Sequence, residues 1–317
     1  MRQNIVIGTR GSELALWQAN FVKAGIAAAY PDVGLEIKII KTTGDKIMDV
    51  ALSKIGDKGL FTEQIESELL SGGIDLAVHS LKDLQTAQPE GLKIGAVCKR
   101  ELPNDVLISK RYSSIGELPN GAKVATGSLR RKSQLLNRRP DLEIAEIRGN
   151  VPTRLKKFEE SDLDAMVLAY AGLHRLGLDE HIKEIVPFDI LLPAAGQGAV
   201  AVETRIGDQE IDELVKVLDD EVTRACVVAE RAFLHRLEGG CQVPIGTLGR
   251  IEGSLLKLDG MVGSRDGRIN LRERIEGGPA SGEEIGNRLA EILIERGAAE
   301  ILEEARLESA RSAETVI

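Results

Sequence analysis

The chain has 317 residues, of which 43% are hydrophobic and 29% charged, and its formal net charge is −9. This length is enough for two or three domains with their own cores. No apolar run is long enough to cross a bilayer, so no membrane partner is expected. The acidic balance disfavours nucleic acid as the main partner, because neutralising phosphates needs a broad basic surface.

The N-terminus and the cysteines predict a cytoplasmic protein. Residues 4–8 lead straight into a strand-like pattern, without the long apolar stretch and cleavage site of a secretory signal. Three widely spaced cysteines, Cys98, Cys226 and Cys241, suit free thiols in a reducing compartment better than a disulfide framework. The four histidines are scattered, so no metal site is expected.

The first part of the chain alternates strands and helices. Ser12 fits the N-cap of a helix in which Leu14, Trp17 and Phe21 recur at helical spacing. The weak periodicity of residues 42–59, with their glycines, lysines and aspartates, predicts a mobile loop. The other predicted elements are strands at 4–8, 35–40 and 74–79 and a helix at 61–70.

The same order then returns further along the chain. Ser128 is again an N-cap candidate. The predicted elements are strands at 123–126, 143–147 and 164–170 and helices at 129–138 and 152–160. Two successive βαβαβ units predict two α/β lobes, and ligands of such sheets bind beyond the carboxyl ends of the strands.

Charged residues follow the predicted strands consistently. They are Arg10, Lys82-Asp83, Arg130-Arg131, Arg148 and Arg175. We therefore expect two lobes like those of periplasmic binding proteins, with a central cation-lined cleft, a small polyanionic ligand, and hinges that cross between the lobes at 99–104 and 190–200. The alternative is a solvated basic helix face, which fits Arg138-Arg139 better.

The remainder of the chain predicts a smaller α+β domain. A helix at 219–237 ends at Gly239-Gly240, where glycine suits a C-cap. Three strands near 245–251, 255–262 and 269–275, a helix at 281–305 and a frayed polar tail follow. The expected domains are lobe one (1–98 with 195–215), lobe two (99–194) and the C-terminal domain (216–317).

The most specific segment, residues 230–246, presents Cys241 on a loop after two glycines. A lone cysteine is more often a small core residue, which is the interpretation for Cys98 and Cys226. The segment resembles the signature of the porphobilinogen deaminase family, and the resemblance covers essentially the whole chain. Further family-like stretches are GTRGS (8–12), KTTGD (41–45), VHSLKD (78–83), TGSLRR (126–131), RGN (148–150) and PAAGQG (193–198).

The resemblance implies a transferase of tetrapyrrole biosynthesis. Cys241 would carry a dipyrromethane cofactor through a thioether, built by the enzyme from its own substrate. Four porphobilinogen molecules would be deaminated and joined head-to-tail on this primer, and hydrolysis would release hydroxymethylbilane. Porphobilinogen carries acetate and propionate groups, and arginine suits such carboxylates because its planar fork binds them bidentately.

The family pattern also assigns residues to roles. Asp83 is the catalytic candidate, since a carboxylate near the pyrrole nitrogens stabilises positive charge and moves protons; Lys82 beside it would keep it ionised. An aspartate after a strand is otherwise usually a helix cap. Cofactor- and substrate-binding residues are Arg10, Ser12, Ser80, Lys82, Thr126, Ser128, Arg130, Arg131, Arg148, Gly149, Arg154, Arg175 and Gln197.

Several assignments stay open at this point. Ser12 and Ser128 fit N-caps at least as well as ligand contacts, and the two roles are compatible. In the loop, Lys54 and Lys58 would attract substrate, Phe61 would stack on a pyrrole ring or belong to the core, and Asp45 would contact the loop or the substrate. The chain also has Leu84-Gln85 where relatives usually have Val-Pro, which predicts a less rigid turn after Asp83.

Other function classes fit less well. A two-lobed, anion-binding solute-binding protein would share the cleft, but it would be exported and has no use for the Gly-Gly-Cys loop. A nucleic-acid-binding module could use residues 130–139 but lacks an aromatic platform. An NAD- or ATP-dependent enzyme would need a Gly-rich fingerprint that is absent. Nothing in the sequence demands more than a monomer.

Overall fold

A computed structural model describes residues 2–46, 62–238 and 243–314. These residues pack into two compact units. Within the described ranges, the first unit comprises 2–46, 62–101 and Gly198–Arg224, and the second comprises Leu102–Gln197, 225–238 and 243–314. In the described residues the chain passes between the units at 101–102, 197–198 and 224–225. The first two passages lie inside the segments predicted as crossings.

The secondary structure alternates along most of the chain. The strands are β1 (Asn4–Thr9), β2 (Gly34–Ile39), β3 (Leu76–Ser80), β4 (Leu92–Val97), β5 (Asp105–Ser109), β6 (Lys123–Ala125), β7 (Glu143–Ala145), β8 (Ala165–Ala169), β9 (Ile182–Ile185), β10 (Val200–Arg205), β11 (Ile245–Glu252), β12 (Leu255–Gly263) and β13 (Asn270–Gly277). The helices are α1 (Glu13–Ala29), α2 (Thr43–Lys46), α3 (Glu63–Leu70), α4 (Leu129–Arg138), α5 (Val151–Glu159), α6 (Tyr170–Arg175), α7 (Gln209–Val215), α8 (Glu221–Arg236), α9 (Gly282–Glu295) and α10 (Ala298–Glu314).

Each unit contains a mixed five-stranded sheet, and the two sheets have the same topology. The first has the order β2-β1-β3-β10-β4 and the second β7-β6-β8-β5-β9. In each, the first three strands are parallel and the last two are joined antiparallel. The strand that follows each crossing, β5 or β10, is the antiparallel neighbour of β8 or β3. The predicted pair of α/β lobes is therefore confirmed.

Helices cover both faces of the first sheet. One face of α1 buries Ala15, Ala19, Val22 and Ile26 at helical spacing against β1 and β3. Helix α3 buries residues such as Ile65 against the opposite face. The aromatic pair Trp17 and Phe21 is not in this core: the rings stack at 5.4 Å and stay partly exposed.

The third sheet, with the order β11-β12-β13, belongs to the second unit. It is an antiparallel meander, and Phe233 on α8 packs with Leu258 and Leu289 in its core. Gly286 on α9 lies so close to α8 that an added Cβ would collide with the backbone of Ala229. The absence of a side chain there lets the two helices pack closely.

Some predicted elements were wrong in detail. The single helix expected at 281–305 is two helices, because Gly297 takes a left-handed φ of 95° between α9 and α10. The tail expected to fray continues as helix through Glu314. Strands β5, β9 and β10 were not anticipated. At the end of α8 the left-handed residue is Glu238, with φ of 51°; Gly239-Gly240 lie outside the described residues.

Candidate active site

A pocket in the first unit brings together residues predicted from separate motifs. Arg10, Ser12, Ser80 and Asp83 all line it, and so does His79. Strands β1 and β3 are parallel neighbours, with Gly8 opposite Ala77. Their carboxyl ends therefore open at the same edge of the sheet, which is where ligands of such sheets bind.

The two strand ends present their side chains differently. Arg10 directly follows β1, and Ser12 caps α1, its Oγ accepting the backbone N–H of Ala15 at 3.3 Å. After β3 the chain forms a short 3₁₀ turn, Leu81–Asp83, which exposes Asp83 and leaves Lys82 half-buried. The N-cap interpretation of Ser12 is confirmed. Its place in the pocket makes the cap compatible with anion binding.

The turn after Asp83 is anchored although it lacks the usual proline. Leu84 is buried, and its backbone N–H donates to the carbonyl of Leu81 at 3.2 Å. The carbonyl of Gln85 in turn accepts a hydrogen bond from the side chain of Gln88 at 2.7 Å. These contacts hold the turn in place of the rigidity that proline would supply.

Gln18 is a pocket residue that the sequence analysis missed. Its side chain is buried and donates from Nε2 to Oγ of Ser80 at 2.8 Å, joining α1 to the end of β3. The available signal was a polar residue in the apolar stripe of α1, because a buried polar group needs a hydrogen-bond partner.

In the second unit, the loops after β6 and β7 lie side by side. Ser128 caps α4 and accepts the backbone N–H of Arg131 at 3.5 Å. Oγ1 of buried Thr126 accepts the backbone N–H of Ser128 at 3.2 Å. A Cβ on Gly127 would lie 3.2 Å from the carbonyl oxygen of Ile147, next to Arg148. Two of the predicted anion-binding motifs are thus neighbours.

Arg130 and Arg131 converge on one buried carboxylate, Asp105, which the sequence analysis also missed. Nη1 of Arg130 lies 2.7 Å from Oδ2 of Asp105, and Nη2 of Arg131 lies 2.8 Å from Oδ1. Gln197, a predicted site residue, donates to the same Oδ1 at 2.9 Å. Asp105 is fully buried and the two arginines are nearly so.

The charges of this cluster do not cancel. Burial alone would raise the pKa of Asp105, but the charges of Arg130 and then of Arg131 outweigh it and hold that pKa well below its usual range. Two guanidinium groups then share a single carboxylate, which leaves an excess of buried positive charge. Such an excess suits an anionic ligand with carboxylate groups, because buried charges need partners.

The loop that follows β7 places a second cation. In the part of the chain that the structure describes, the buried Nε of Arg148 has no hydrogen-bond partner. Burial lowers the pKa of Arg148, and the charge of Glu146 opposes this effect. Gly149 has a left-handed φ of 118°, and its carbonyl accepts Nε of Arg154 at 2.7 Å. These donors fit a cofactor that carries carboxylates.

The remaining predicted residues are placed as follows. Arg175 ends α6, the helix that follows β8. Asp45 lies in α2, and only its backbone is described. The assignments to Lys54, Lys58, Phe61 and Cys241 fall outside the described residues.

Neither a membrane span nor a metal site is found among the described residues. Among their helices, none is long and apolar enough to cross a membrane. In the same described ranges, no three His, Cys, Asp or Glu side chains lie close enough together to hold a metal ion.

Comparison with known proteins decides the family. The family model described as "Porphobilinogen deaminase, dipyromethane cofactor binding domain" matches residues 5–213, and the one described as "Porphobilinogen deaminase, C-terminal domain" matches residues 224–295. The chain belongs to the porphobilinogen deaminase family. It is therefore a transferase of tetrapyrrole biosynthesis, and its larger family domain is the one that binds dipyrromethane.

Relatives of similar length support this assignment. The porphobilinogen deaminase of Pelotomaculum thermopropionicum is 54% identical over 311 residues, which cover 98% of this chain and 100% of that relative. That of Chlorobaculum parvum is 53% identical over 309 residues, or 96% of this chain and 99% of the relative.

Among solved structures, the methionine-binding protein MetQ aligns with a TM-score of 0.41 and 14% identity, over 68% of this chain and 88% of that one. A putative lipoprotein from Ruminococcus gnavus aligns with a TM-score of 0.42 and 12% identity, over 68% and 91%. Because these scores are low, the fold assignment rests on the shared strand order of the two sheets.

Proposed function

We propose that this chain deaminates porphobilinogen and joins four molecules of it head-to-tail, then releases hydroxymethylbilane, with Asp83 as the catalytic residue. The observation that carries this proposal is the pocket of the first unit. It sets the carboxylate of Asp83 beside a guanidinium, that of Arg10, and the hydroxyls of Ser12 and Ser80. A carboxylate that moves protons and groups that bind anions are what this chemistry requires.

Asp83 acts on the reacting carbon and nitrogen atoms. Loss of ammonia breaks the bond between the aminomethyl carbon and nitrogen and leaves a cationic azafulvene. The new carbon–carbon bond then places positive charge on the attacked pyrrole, whose α-carbon must lose a proton. The exposed carboxylate of Asp83 stabilises both cations and accepts that proton.

The cationic side chains bind and orient the substrate. Arg10 and Lys82 attract the acetate and propionate groups in the first unit. In the second, Arg131, Arg148 and Arg154 bind carboxylates, because a guanidinium is always charged and binds a carboxylate bidentately. The remaining binding residues proposed in the second unit are Thr126, Ser128, Arg130, Gly149, Arg175 and Gln197. Asp105 holds Arg130 and Arg131 in fixed orientations.

The dipyrromethane supplies the pyrrole carbon to which the first porphobilinogen is joined. We assign its attachment to Cys241, as a thioether. The carboxylates of the cofactor suit the excess positive charge around Asp105 and the buried Nε of Arg148. We also propose that Asp45 on α2, and Lys54, Lys58 and Phe61 between α2 and α3 in the sequence, assist substrate entry.

We also infer the oligomeric state, the cellular location and the domain bounds of the chain. The chain works as a cytoplasmic monomer on a small anionic substrate, without nucleic acid or membrane. Its three domains are 1–98 with 195–215, 99–194 and 216–317.

The proposal is tested by replacing Asp83 with asparagine, which keeps the size of the side chain and removes its charge. Ammonia release and tetrapyrrole formation from porphobilinogen are measured in steady state. We expect turnover to fall by about a hundredfold or more, in the range of a lost general acid–base group. The matched control is Asp32→Asn, an exposed aspartate of the same unit, which should keep full activity. Normal turnover of the Asp83 variant would remove Asp83 from the mechanism.

A further inference from the structure

Three titratable side chains lie together, one of them in the wall of the pocket, and the mechanism above uses none of them. They are Glu66 on α3, His79 on β3 and Glu203 on β10, each at most 5% exposed. Nε2 of His79 lies 3.4 Å from Oε2 of Glu203. We call these three residues the acidic cluster.

The sheet register explains why the cluster forms. In the antiparallel pair of β3 and β10, His79 lies opposite Ala201 and Glu203 lies opposite Ala77. Side chains two residues apart share a face of a sheet, so His79 and Glu203 are diagonal neighbours on one face. Helix α3 packs on both strands and brings Glu66 to this face.

The charged residues of the surrounding elements do not neutralise these carboxylates. Arg205, on β10, donates to the carbonyls of Leu69 and Ile74 and to Asp208. Lys38, on β2, pairs with Glu68 of α3 at 2.8 Å, and Glu63 of α3 is exposed.

Arg10, Lys82 and Asp83 lie at the strand ends beyond the cluster. In the described part of the chain, neither Glu66 nor Glu203 forms an ion pair with a lysine or arginine.

Two buried carboxylates with one imidazole must therefore retain protons. An ionised carboxylate in the interior without a partner is costly, and the usual response is protonation. Both oxygens of Glu203 and Oε1 of Glu66 lack hydrogen-bond partners in the described residues. Burial raises the pKa of Glu66, a hydrogen bond with Thr62 and the charge of His79 oppose this effect, and the charge of Glu203 adds to it. Glu66 therefore keeps its proton to a higher pH than an ordinary glutamate.

His79 connects the acidic cluster to the active site. It lines the pocket together with Arg10 and Asp83, and it precedes Ser80 at the end of β3. We propose that the charge of Glu66, which lies against His79 and Glu203 beside the pocket, sets how tightly the pocket binds the carboxylates of the substrate. The three are positioning residues, because they act through the charge of the pocket and touch no reacting atom.

The direction of the effect follows from the charges. While Glu66 is protonated, its carboxyl adds no negative charge beside the pocket. When pH rises and Glu66 releases its proton, a negative charge appears near a pocket that binds anions. KM for porphobilinogen should then rise by roughly fivefold, as expected of a unit charge several ångströms away at intermediate dielectric, with little change in kcat.

The test uses Glu66→Gln, which mimics the protonated acid and cannot ionise. KM of this variant should stay flat across the pH range in which KM of the parent enzyme rises, with kcat within about twofold. The control is Glu63→Gln, an exposed glutamate in the first turn of the same helix, whose KM should follow the parent. A KM profile of Glu66→Gln parallel to that of the parent would overturn the proposal.

A second measurement does not depend on activity. Infrared spectra at neutral pH should show the carbonyl stretching band of a protonated carboxylic acid in the parent. The band should vanish in Glu66→Gln and persist in Glu63→Gln. Its absence from the parent would contradict a protonated Glu66. If Glu66→Gln folds poorly, Glu66→Leu serves instead: this apolar side chain of similar size cannot ionise either, so KM should again stay flat with pH.

The inference on KM rests on the proposed role of the pocket, so the two must be separable. Arg10→Leu tests that role: a raised KM supports the pocket as the anion site whatever the acidic cluster does. An unchanged KM in Arg10→Leu, with the infrared band still present, would mean that the cluster retains its proton but the pocket is not the site. The proposed effect on substrate binding would then fail together with the proposed pocket.

Discussion

The two five-stranded sheets share one strand order but bury different sets of charged side chains. The first holds the acidic cluster, two glutamates and a histidine without an arginine or lysine among its described ion-pair partners. The second holds Asp105 between Arg130 and Arg131, with positive charge in excess. In the roles proposed above, the same topology supports two different tasks, proton transfer near Asp83 and carboxylate binding. The loops and the buried charged residues of each unit, and not the strand order, therefore determine its role.

The largest expected effect concerns Asp105. Asp105→Ala leaves two buried guanidinium groups without their carboxylate, and we expect a loss of about 3–5 kcal/mol in the free energy of unfolding. Urea unfolding near neutral pH measures it. The control is Asp162→Ala, since Asp162 pairs with Lys123 on the surface and such pairs contribute little. Equal losses in both variants would mean that the buried cluster does not stabilise the second unit.

Next in size is the effect of Arg148 on ligand binding. Arg148→Leu should raise KM for porphobilinogen by about tenfold or more, because a hydrogen bond to a charged group contributes about 1.5–3 kcal/mol. It should also lower the fraction of chains that carry the cofactor, measured by intact mass. Unfolding should change little, since the buried Nε has no hydrogen-bond partner in the described residues. Arg138→Leu, an exposed position on α4, should be neutral; the same rise in KM there would argue for a general charge effect.

The two clusters should respond to pH with opposite signs. The folded-state pKa of Asp105 is lowered, so its stabilisation is present above the ordinary pKa of an aspartate and is lost as pH falls. The folded-state pKa of Glu66 is raised, so its contribution is lost as pH rises through that value.

Glu66→Gln should therefore unfold at higher urea than the parent at about pH 9 and differ little near pH 5. Circular dichroism at a series of pH values follows the transition. A difference between variant and parent that is the same at all pH values would contradict the assignment of the proton to Glu66.

The smallest effect compares the two helix caps. Ser12 and Ser128 occupy equivalent positions after β1 and β6 and accept backbone N–H groups at 3.3 and 3.5 Å. Ser12→Ala and Ser128→Ala should each cost about 0.5–1 kcal/mol of stability, the usual worth of an N-cap. If either variant loses substrate affinity with unchanged stability, ligand contact is its main role.

Much of the fold was predictable from local patterns. The parallel strands, β1 to β3 and β6 to β8, are short apolar runs bounded by polar caps, and the predicted bounds of α4 agree with the structure. Strands β5 and β10 pair antiparallel with strands that are distant in the chain. A local sequence pattern contains no information on such long-range pairing. The break at Gly297 was hidden because a single glycine within a helical pattern does not by itself end a helix.

Residues of the candidate site were predictable only where they belong to a recognisable sequence motif. Arg10, Ser80 and Asp83 were recognised from family-like stretches, and their meeting in one pocket follows from the parallel strands. Asp105 was missed because its partners lie 25, 26 and 92 residues away. The acidic cluster was missed for the same reason: Glu66 and Glu203 come from elements that meet only in the folded sheet.

The intact mass of the purified protein, after incubation with porphobilinogen, tests the assigned function most directly. A Cys241→Ala variant is treated in parallel. We predict a mass excess equal to two linked pyrrole units in the parent and none in the variant, which would identify the cofactor and its attachment residue together. A parent chain that stays unmodified in the presence of porphobilinogen, or a variant that gains the same mass, would contradict the assignment.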